Sequence, residues 1–330
     1  MEETINYLGK LFALNFCELG LDVNYVKGYE SPLGNTYLYN LQFISQYNKK
    51  WLQSLLEKIG IFHHYDLKLI DTKEAHFGVM QSMNRTTLSL TNLLAKHHFN
   101  DIVVGVDTNG NDLTLDFSKI PHLLIAGTTG AGKSVLIKNL LINLYGFYGK
   151  NKYKKSQYVI IDVKRDFERY NNLYNTTFIS DTNEATMKLR ELCDEMDYRY
   201  AHRDKTFNDL YIMIDELADL MLKSRYEVEE YIIRIAQLGR ACGLHMILAT
   251  QYPKVEICTS LIRANIPYRF CLKTASLRES ILVLDRKGSE ELNIGEAIFK
   301  DTGGVYRTLK IAFPEQSLEA KMLEINRIRG

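Results

Sequence analysis

The residues with the clearest chemical purpose lie between Pro121 and Val135, in the run Pro-His-Leu-Leu-Ile-Ala-Gly-Thr-Thr-Gly-Ala-Gly-Lys-Ser-Val. Gly127, Gly132, Lys133 and Ser134 stand at the spacing G-x-x-x-x-G-K-S. Gly127, Gly130 and Gly132 lack Cβ atoms, so the backbone there can bend tightly and turn its N–H groups inward on an anion. With Thr128, Thr129, Ala131 and Val135 they make a continuous candidate phosphate cradle. Lys133 can reach the β- and γ-phosphates, and the Ser134 hydroxyl can ligate Mg²⁺. ATP and Mg²⁺ are the cofactors this spacing calls for.

A second constellation supplies the other half of such a site. Tyr211-Ile212-Met213-Ile214 ends in Asp215-Glu216. A carboxylate at the end of a buried strand can hold Mg²⁺, so Asp215 joins Ser134 as a candidate metal ligand. Glu216 can orient or deprotonate an attacking water, which suits ATP hydrolysis better than transfer to a bound acceptor. The apolar run Leu244 to Ala249 ends in Thr250-Gln251. Gln251 would then stand beside the γ-phosphate, at the carboxyl edge of the sheet where ligands bind.

The elements that must position these groups are legible around them. Leu123 to Ala126 reads as a buried parallel strand, and Val135, Leu136, Ile137, Leu140, Leu141 and Leu144 give the following segment a helical pattern. That helix would present its N-terminus to the phosphates. Tyr158 to Asp162 and Thr177 to Ser180 are further strand candidates. Asn183 to His202 is read as a helix carrying Met187, Leu189, Leu192, Met196 and Tyr200, and Glu227 to Ala241 as another. Strands alternating with helices predict a mainly parallel sheet. The fold class is therefore α/β, a P-loop NTPase domain over residues 96–330.

Residues 1–95 read as a separate small α+β domain. Ile5, Leu8, Phe12, Phe16 and Leu19 fall on one helical face that Gly20 can stop. Strand-like runs flank a turn at Ser31 to Asn35, and Trp51 to Ile59 is amphipathic and closed by Gly60. His63 to Ile70 and His76 to Met80 are strand candidates. Ile102 to Phe117 has the pattern of a hairpin, Val103 and Val104 on one side and Leu113 and Leu115 on the other, turning at Thr108 to Asn111.

Composition narrows the class. The 330 residues carry a net charge of +1, so any nucleic-acid surface must be local. The acidic N-terminus is no signal peptide, and no apolar run approaches the ~18 residues of a transmembrane helix. Five scattered cysteines without a C-x-x-C pair fit a reduced cytoplasmic protein. The basic run Gly149 to Lys155 reads as a solvated loop. His63-His64 and His97-His98 lack acidic or cysteine partners at ligand spacing and are read as structural.

The combination resembles the FtsK/SpoIIIE family of DNA-translocating ATPases. The likeness lies in Pro121 to Gly130, in Ile214-Asp215-Glu216-Leu217-Ala218-Asp219-Leu220-Met221, and in Gly239 to His245 through Gln251. It continues through Ile262 to Pro267 and Ile281 to Leu292, and Asp162-Val163-Lys164 is similar to the family's Asp-Pro-Lys. The resemblance implies a RecA-like motor forming a homohexameric ring around double-stranded DNA, with an arginine reaching each ATP from the neighbouring subunit. Arg240 and Arg269 match family positions for such an arginine. Tyr252 stands where many relatives have arginine, and the Asp-Ser-Arg before Ile281 is absent, with Arg278 three residues upstream. Arg286-Lys287-Gly288 is a basic turn with a glycine, a candidate pore loop whose Arg286 and Lys287 would meet DNA phosphates.

Relatives are often tethered to membranes, whereas this chain shows neither a membrane segment nor a DNA-reading winged-helix module. A membrane-anchored or transfer-apparatus partner could recruit it to the inner face of the cell membrane. Chromosome segregation and conjugative or plasmid transfer both fit. Two other readings stay open: a protein-transport ATPase of a specialised secretion system, and a coupling ATPase acting on single-stranded DNA. A nucleotide-dependent assembly module that moves nothing is disfavoured by the complete set Lys133, Ser134, Asp215 and Glu216.

Overall fold

The structure is a computed structural model. It describes residues 2–31, 34–41, 51–56, 59, 67–70, 72, 75–82, 88–98, 101–146 and 155–327. Pro32 and Leu33, the His63-His64 pair, Gly60 and the basic run up to Lys154 lie outside the described residues. Two compact units emerge: Met1–Leu88 with Val106–Asp112, and Ser89–Gly105 with Leu113–Gly330.

In the first unit, a helix spans Glu2–Glu18. Phe12 and Phe16, one helical turn apart, are fully buried, and Ile5 is nearly so. Leu19, assigned to the same face by periodicity, lies past the helix end and is 38% exposed. There Gly20 turns the chain with φ +86°, a region that glycine enters without cost. The sheet runs in the order β1–β2–β4–β3, all pairs antiparallel: β1 Val23–Ser31, β2 Gly34–Leu41, β3 Leu67–Ile70 and β4 Phe77–Ser82. Tyr37 and Tyr39, two apart on β2, point to one face and meet Phe12, Phe16 and Phe77. Leu52, Leu55 and Leu56 of the helical residues 51–56 complete this core.

The hairpin tip 106–112 belongs to this first unit although it is far away in sequence. Asp107 Oδ1 accepts the N–H groups of Asn109 and Asn111, each at 2.8 Å, an Asx turn that shapes the tip. Tyr29 donates its hydroxyl to Asn109 Oδ1 at 2.6 Å. A single boundary near residue 95 does not anticipate this insertion.

The second unit is built on a sheet of ten described strands in the order β6–β5–β14–β13–β12–β7–β11–β10–β8–β9. β5 is Ile102–Asp107, β6 Asp112–Leu115, β7 His122–Ala126, β8 Gln157–Ile161 and β9 Thr176–Ile179. β10 is Leu210–Ile214, β11 Leu244–Thr250, β12 Arg269–Leu272, β13 Glu296–Lys300 and β14 Tyr306–Ile311. Strands β12, β7, β11, β10, β8 and β9 are parallel, and β12, β13 and β14 pair antiparallel. The parallel strands are apolar on both faces, as a sheet covered on both sides requires. Ile212 stands in register with Val159 and Met246 on the face that packs the main core. Tyr211, one residue earlier, stacks on Tyr158 and His245 on the opposite face.

The helices differ from the sequence reading in two places. The helix Thr182–Ala201 buries Ala185, Leu189, Leu192, Cys193 and Met196, whereas Met187 is 65% exposed and Tyr200 faces solvent. Asp181 caps it, accepting the N–H groups of Asn183 and Glu184. The helix assigned to Glu227–Ala241 begins ten residues earlier: Leu217–Leu238 is one helical run interrupted at Ser224 (φ −137°, ψ 52°), followed by a 3₁₀ turn Gly239–Cys242. Leu217, Leu220 and Met221 are buried but sit so soon after β10 that their periodicity merged with the strand's.

Candidate nucleotide-binding site

The site assembles at the carboxyl ends of β7, β10, β11 and β8. β7 is buried along its whole length between β11 and β12. At its end Gly127 donates its N–H to Thr250 O at 3.3 Å, and Thr128 donates to Lys273 O at 2.8 Å. A Cβ on Gly127 would stand 2.9 Å from Leu272 Cβ, so only glycine lets the loop leave the sheet here. Gly130 and Gly132 take φ +78° and +107°. Gly132 is the N-cap of the helix Lys133–Tyr145 and offers no side-chain acceptor, so the first-turn N–H groups, those of Ser134 and Val135 included, point outward uncapped. An anion is the partner such a terminus favours.

Buried amides anchor that helix. Asn143 and the Val103 backbone exchange hydrogen bonds, with Val103 N–H donating to Asn143 Oδ1 at 3.0 Å. Asn139 donates to the carbonyls of Val104 and Ala312 at 3.2 and 3.0 Å. The helix that carries Lys133 and Ser134 is thereby fastened to β5 and to the segment after β14.

Lys133 is 4% exposed. Burial lowers its pKa, opposed by the negative charges of Asp215 and Glu216. Asp215 follows β10 and donates its own N–H to Ile161 O at 3.1 Å. Its side chain is buried, and neither carboxylate oxygen has a hydrogen-bond partner. Burial pushes its pKa up to about 6; Lys133 pulls against this, while Asp162, Asp166 and Glu216 add to it. Such an orphaned carboxylate, with the Ser134 hydroxyl at the helix start, is the hard-oxygen set a Mg²⁺ ion takes, the remaining ligands coming from phosphates and water. Among the described residues, no cluster of three or more His, Cys, Asp or Glu could hold a metal by itself. In the second of the pairs read as structural, His97 Nδ1 approaches Asp101 Oδ2 at 3.8 Å.

Glu216 is tied from several sides. It caps the Leu217–Leu238 helix by accepting Ala218 N–H at 3.3 Å. Thr250 donates its hydroxyl at 2.7 Å, and Gln251 N–H approaches the two oxygens at 3.2 and 3.0 Å. Gln251 also accepts the Thr129 hydroxyl on Oε1 at 2.7 Å, joining β11 to the phosphate loop. Lys164 Nζ lies 3.6 Å from Glu216 Oε2. Thr250 and Lys164 received no chemical assignment from the sequence. The available signals were a threonine before Gln251 and an Asp-x-Lys after β8.

The remaining candidates lie elsewhere. Arg240 is exposed on the 3₁₀ turn before β11, at the opposite end of that strand from Gln251. Seven strand residues separate those ends by about 20 Å. Arg269 differs from its expected role: it is 5% exposed, and its guanidinium donates to the carbonyls of Ile266 and Val283 at 3.2 and 2.8 Å, to Arg263 O, and to Asp285 at 3.0 Å. A group so committed cannot reach out to a neighbour, because each donor it turned away would leave a buried carbonyl unpaired. Lys300 and Arg263 also face Asp285. Asp285 takes φ +61° and starts the turn that exposes Arg286 and Lys287, with Arg286 lying 4.8 Å over the Tyr306 ring. Arg278 is exposed on the short helix Leu277–Leu284.

Known proteins resemble this chain in sequence and in fold. Residues 94–209 and 201–255 match the FtsK/SpoIIIE family. The chain is 38% identical over 225 residues to the DNA translocase FtsK of Campylobacter jejuni, covering 61% of this chain and 24% of that one. It is 38% identical over 224 residues to the DNA translocase SftA of Bacillus subtilis, covering 61% and 23%. The aligned region thus spans about a quarter of these relatives. Among solved structures, the pCW3 conjugation coupling protein TcpA, in a monomer form with ATPγS, superposes over 97% of this chain and 99% of its own at TM-score 0.66 and 19% identity. The cytoplasmic domain of the Thermomonospora curvata type VII secretion ATPase EccC covers 74% and 35% at TM-score 0.61 and 22% identity. At these identities the superpositions speak for the fold, which is that of P-loop ATPases. With the phosphate loop, the Asp215-Glu216 strand end and the sequence match in agreement, residues 94–255 of this chain are a domain of the FtsK/SpoIIIE family.

Proposed function

We propose that this protein is an ATP-driven DNA translocase that moves double-stranded DNA through a homohexameric ring. The observation that carries the reading is the meeting of a buried, unpartnered Asp215 carboxylate with Lys133 and with the fully bonded Glu216 at the uncapped helix start. Gly127 to Val135 would wrap the phosphates, Lys133 would neutralise the β- and γ-oxygens, and Ser134 and Asp215 would hold Mg²⁺, which supplies charge neutralisation at the transferred phosphoryl group. Glu216 would orient and deprotonate the attacking water. Gln251 would report the state of the γ-phosphate to β11, a role supported by its bonds to Thr129 of the loop and, through its N–H, to Glu216.

The position of Arg240, about one strand length from its own phosphate loop, supports a role at the ATP of a neighbouring subunit rather than at its own. Arg286 and Lys287 are the exposed cations proposed to meet DNA phosphates, a contact that carries no sequence information. The relatives named as DNA translocases support the substrate, and the coupling-protein fold supports conjugative transfer beside chromosome segregation as the process. A cytoplasmic site of action, with recruitment to the membrane by a partner, follows from the same reading. No helix among the described residues is long and apolar enough to cross a membrane.

The likeness to the EccC fold supports one competing reading, a protein-transport ATPase. Steady-state ATPase rates without nucleic acid, with single-stranded DNA and with long duplex, all at one salt concentration, separate the two. Strong stimulation by long duplex is the expected result. Preference for single strands would point to a conjugation-type coupling ATPase, and indifference to both would sink the DNA motor in favour of protein transport.

A further inference from the structure

One cation in the hydrolytic network belongs to none of the phosphate-binding or metal-binding motifs. Lys164 Nζ lies 3.6 Å from Glu216 Oε2, and the Glu216 side chain is only 2% exposed while Lys164 is 38% exposed. The other direct partners of Glu216, which are the Thr250 hydroxyl and the N–H groups of Gln251 and Ala218, are neutral. A buried carboxylate needs a counter-charge, and Lys133 already divides its attraction between Asp215 and Glu216.

The backbone that presents Lys164 is built for placement. Asp162 Oδ1 accepts Lys164 N–H at 3.1 Å, and Oδ2 accepts Phe167 N–H at 2.7 Å. Arg165 closes the turn in the left-handed region at φ +61°, its N–H donating to Asp162 O at 3.3 Å. Phe167 and Tyr170, both fully buried, pin the far side. The backbone at Lys164 is therefore stiff, and the side chain is the part left to move. Its charge also reaches Asp219, one helical turn past Glu216.

We propose that Lys164 is a positioning residue that acts through Glu216. It holds the carboxylate against Thr250 and Gln251, so that the attacking water meets it in one orientation, and it is not itself a phosphate ligand. This rests on the reading of Glu216 as the group that activates water.

The test uses the full chain with Lys164→Met, Lys164→Gln, Lys164→Arg, Glu216→Gln and the double variant Lys164→Met/Glu216→Gln. The readouts are kcat for ATP, the Kd of a fluorescent ATP analogue with Mg²⁺, and melting of the nucleotide-free protein. Lys164→Met and Lys164→Gln are expected to lower kcat by about tenfold or more, as misplacement of a reacting group does, while Kd stays within about twofold. Lys164→Arg should restore most of kcat. Lys164→Met should lower the melting temperature when Glu216 is present and leave it unchanged in the Glu216→Gln background. A Kd weakened about tenfold at unchanged saturating kcat would overturn the proposal by making Lys164 a phosphate ligand, and so would unchanged kcat in both Lys164→Met and Lys164→Gln. If Glu216→Gln turned over normally, the reading of Glu216 would fall whatever Lys164 did. An inactive Glu216→Gln beside an unaffected Lys164→Met would sink the role of Lys164 alone.

Discussion

Among the described residues, Asp215 is the carboxylate whose environment departs furthest from ordinary carboxylate chemistry. An exposed aspartate loses its proton near 3.8, and burial moves Asp215 to about 6. The native protein therefore binds this proton more tightly than the unfolded chain does. The stability this contributes is present at low pH, declines as pH rises from 3.8 through 6, and does not change further above that. Asp215→Asn should accordingly melt higher than wild type at pH 8 and much the same at pH 4, without nucleotide. The same variant should lose Mg²⁺-dependent nucleotide binding, because a neutral amide is a poor ligand for a hard dication. In the wild-type protein, Mg²⁺-nucleotide affinity should fall as pH drops through 6, checked by titration at fixed ionic strength. Lys133→Ala and Glu216→Gln should each reduce turnover at least about a hundredfold, while Glu216→Gln keeps its nucleotide affinity. A variant that retained turnover would remove its residue from the mechanism.

At the scale of the element, the phosphate loop and the turn after β8 are both held in conformations that few residues tolerate. A Cβ on Gly132 would have ordinary space, 3.5 Å from Gly295, so the constraint is the backbone angle of +107°. Gly132→Ala should cost about 1–3 kcal/mol in stability, measured by denaturant titration, and should weaken nucleotide binding, since the helix start must shift. Asp162→Ala removes the acceptor of two N–H groups, one of them on buried Phe167, and should cost about 1–3 kcal/mol. It should also lower kcat by freeing the Lys164 backbone, which a simple loss of stability would not do at a temperature where the variant stays folded.

At the scale of the whole molecule, neither candidate trans-acting arginine stands at the nucleotide site of its own chain. Arg269 is consumed by carbonyls and Asp285, and Arg240 stands at the far edge of the sheet. If Arg240 completes a neighbour's site, Arg240→Ala and Glu216→Gln should each be inactive alone. Mixed together they should recover turnover, because an intact Arg240 from one subunit can face an intact Glu216 of the other. Failure to recover in a mixture that co-assembles would rule out Arg240. The two compact units add a second consequence. Residues 106–112 belong with Met1–Leu88, so a cut near residue 95 would leave part of the first unit on the second fragment.

Much of this molecule was already decided by local sequence. The phosphate loop, the strand ending in Asp215-Glu216 and the parallel sheet were legible because glycine spacing, helix termini and buried strands impose themselves within ten or fifteen residues. The break at Ser224 and the outward turn of Met187 were not, since helical periodicity does not say which of two apolar stripes meets the sheet. Only the tertiary structure decided that Arg269 is a buried brace, that Thr250 and Lys164 meet at Glu216, and that the hairpin tip joins a unit completed earlier in the chain. Each of these depends on contacts between segments tens of residues apart, where burial and hydrogen-bond satisfaction, rather than residue type, determine what a side chain can do.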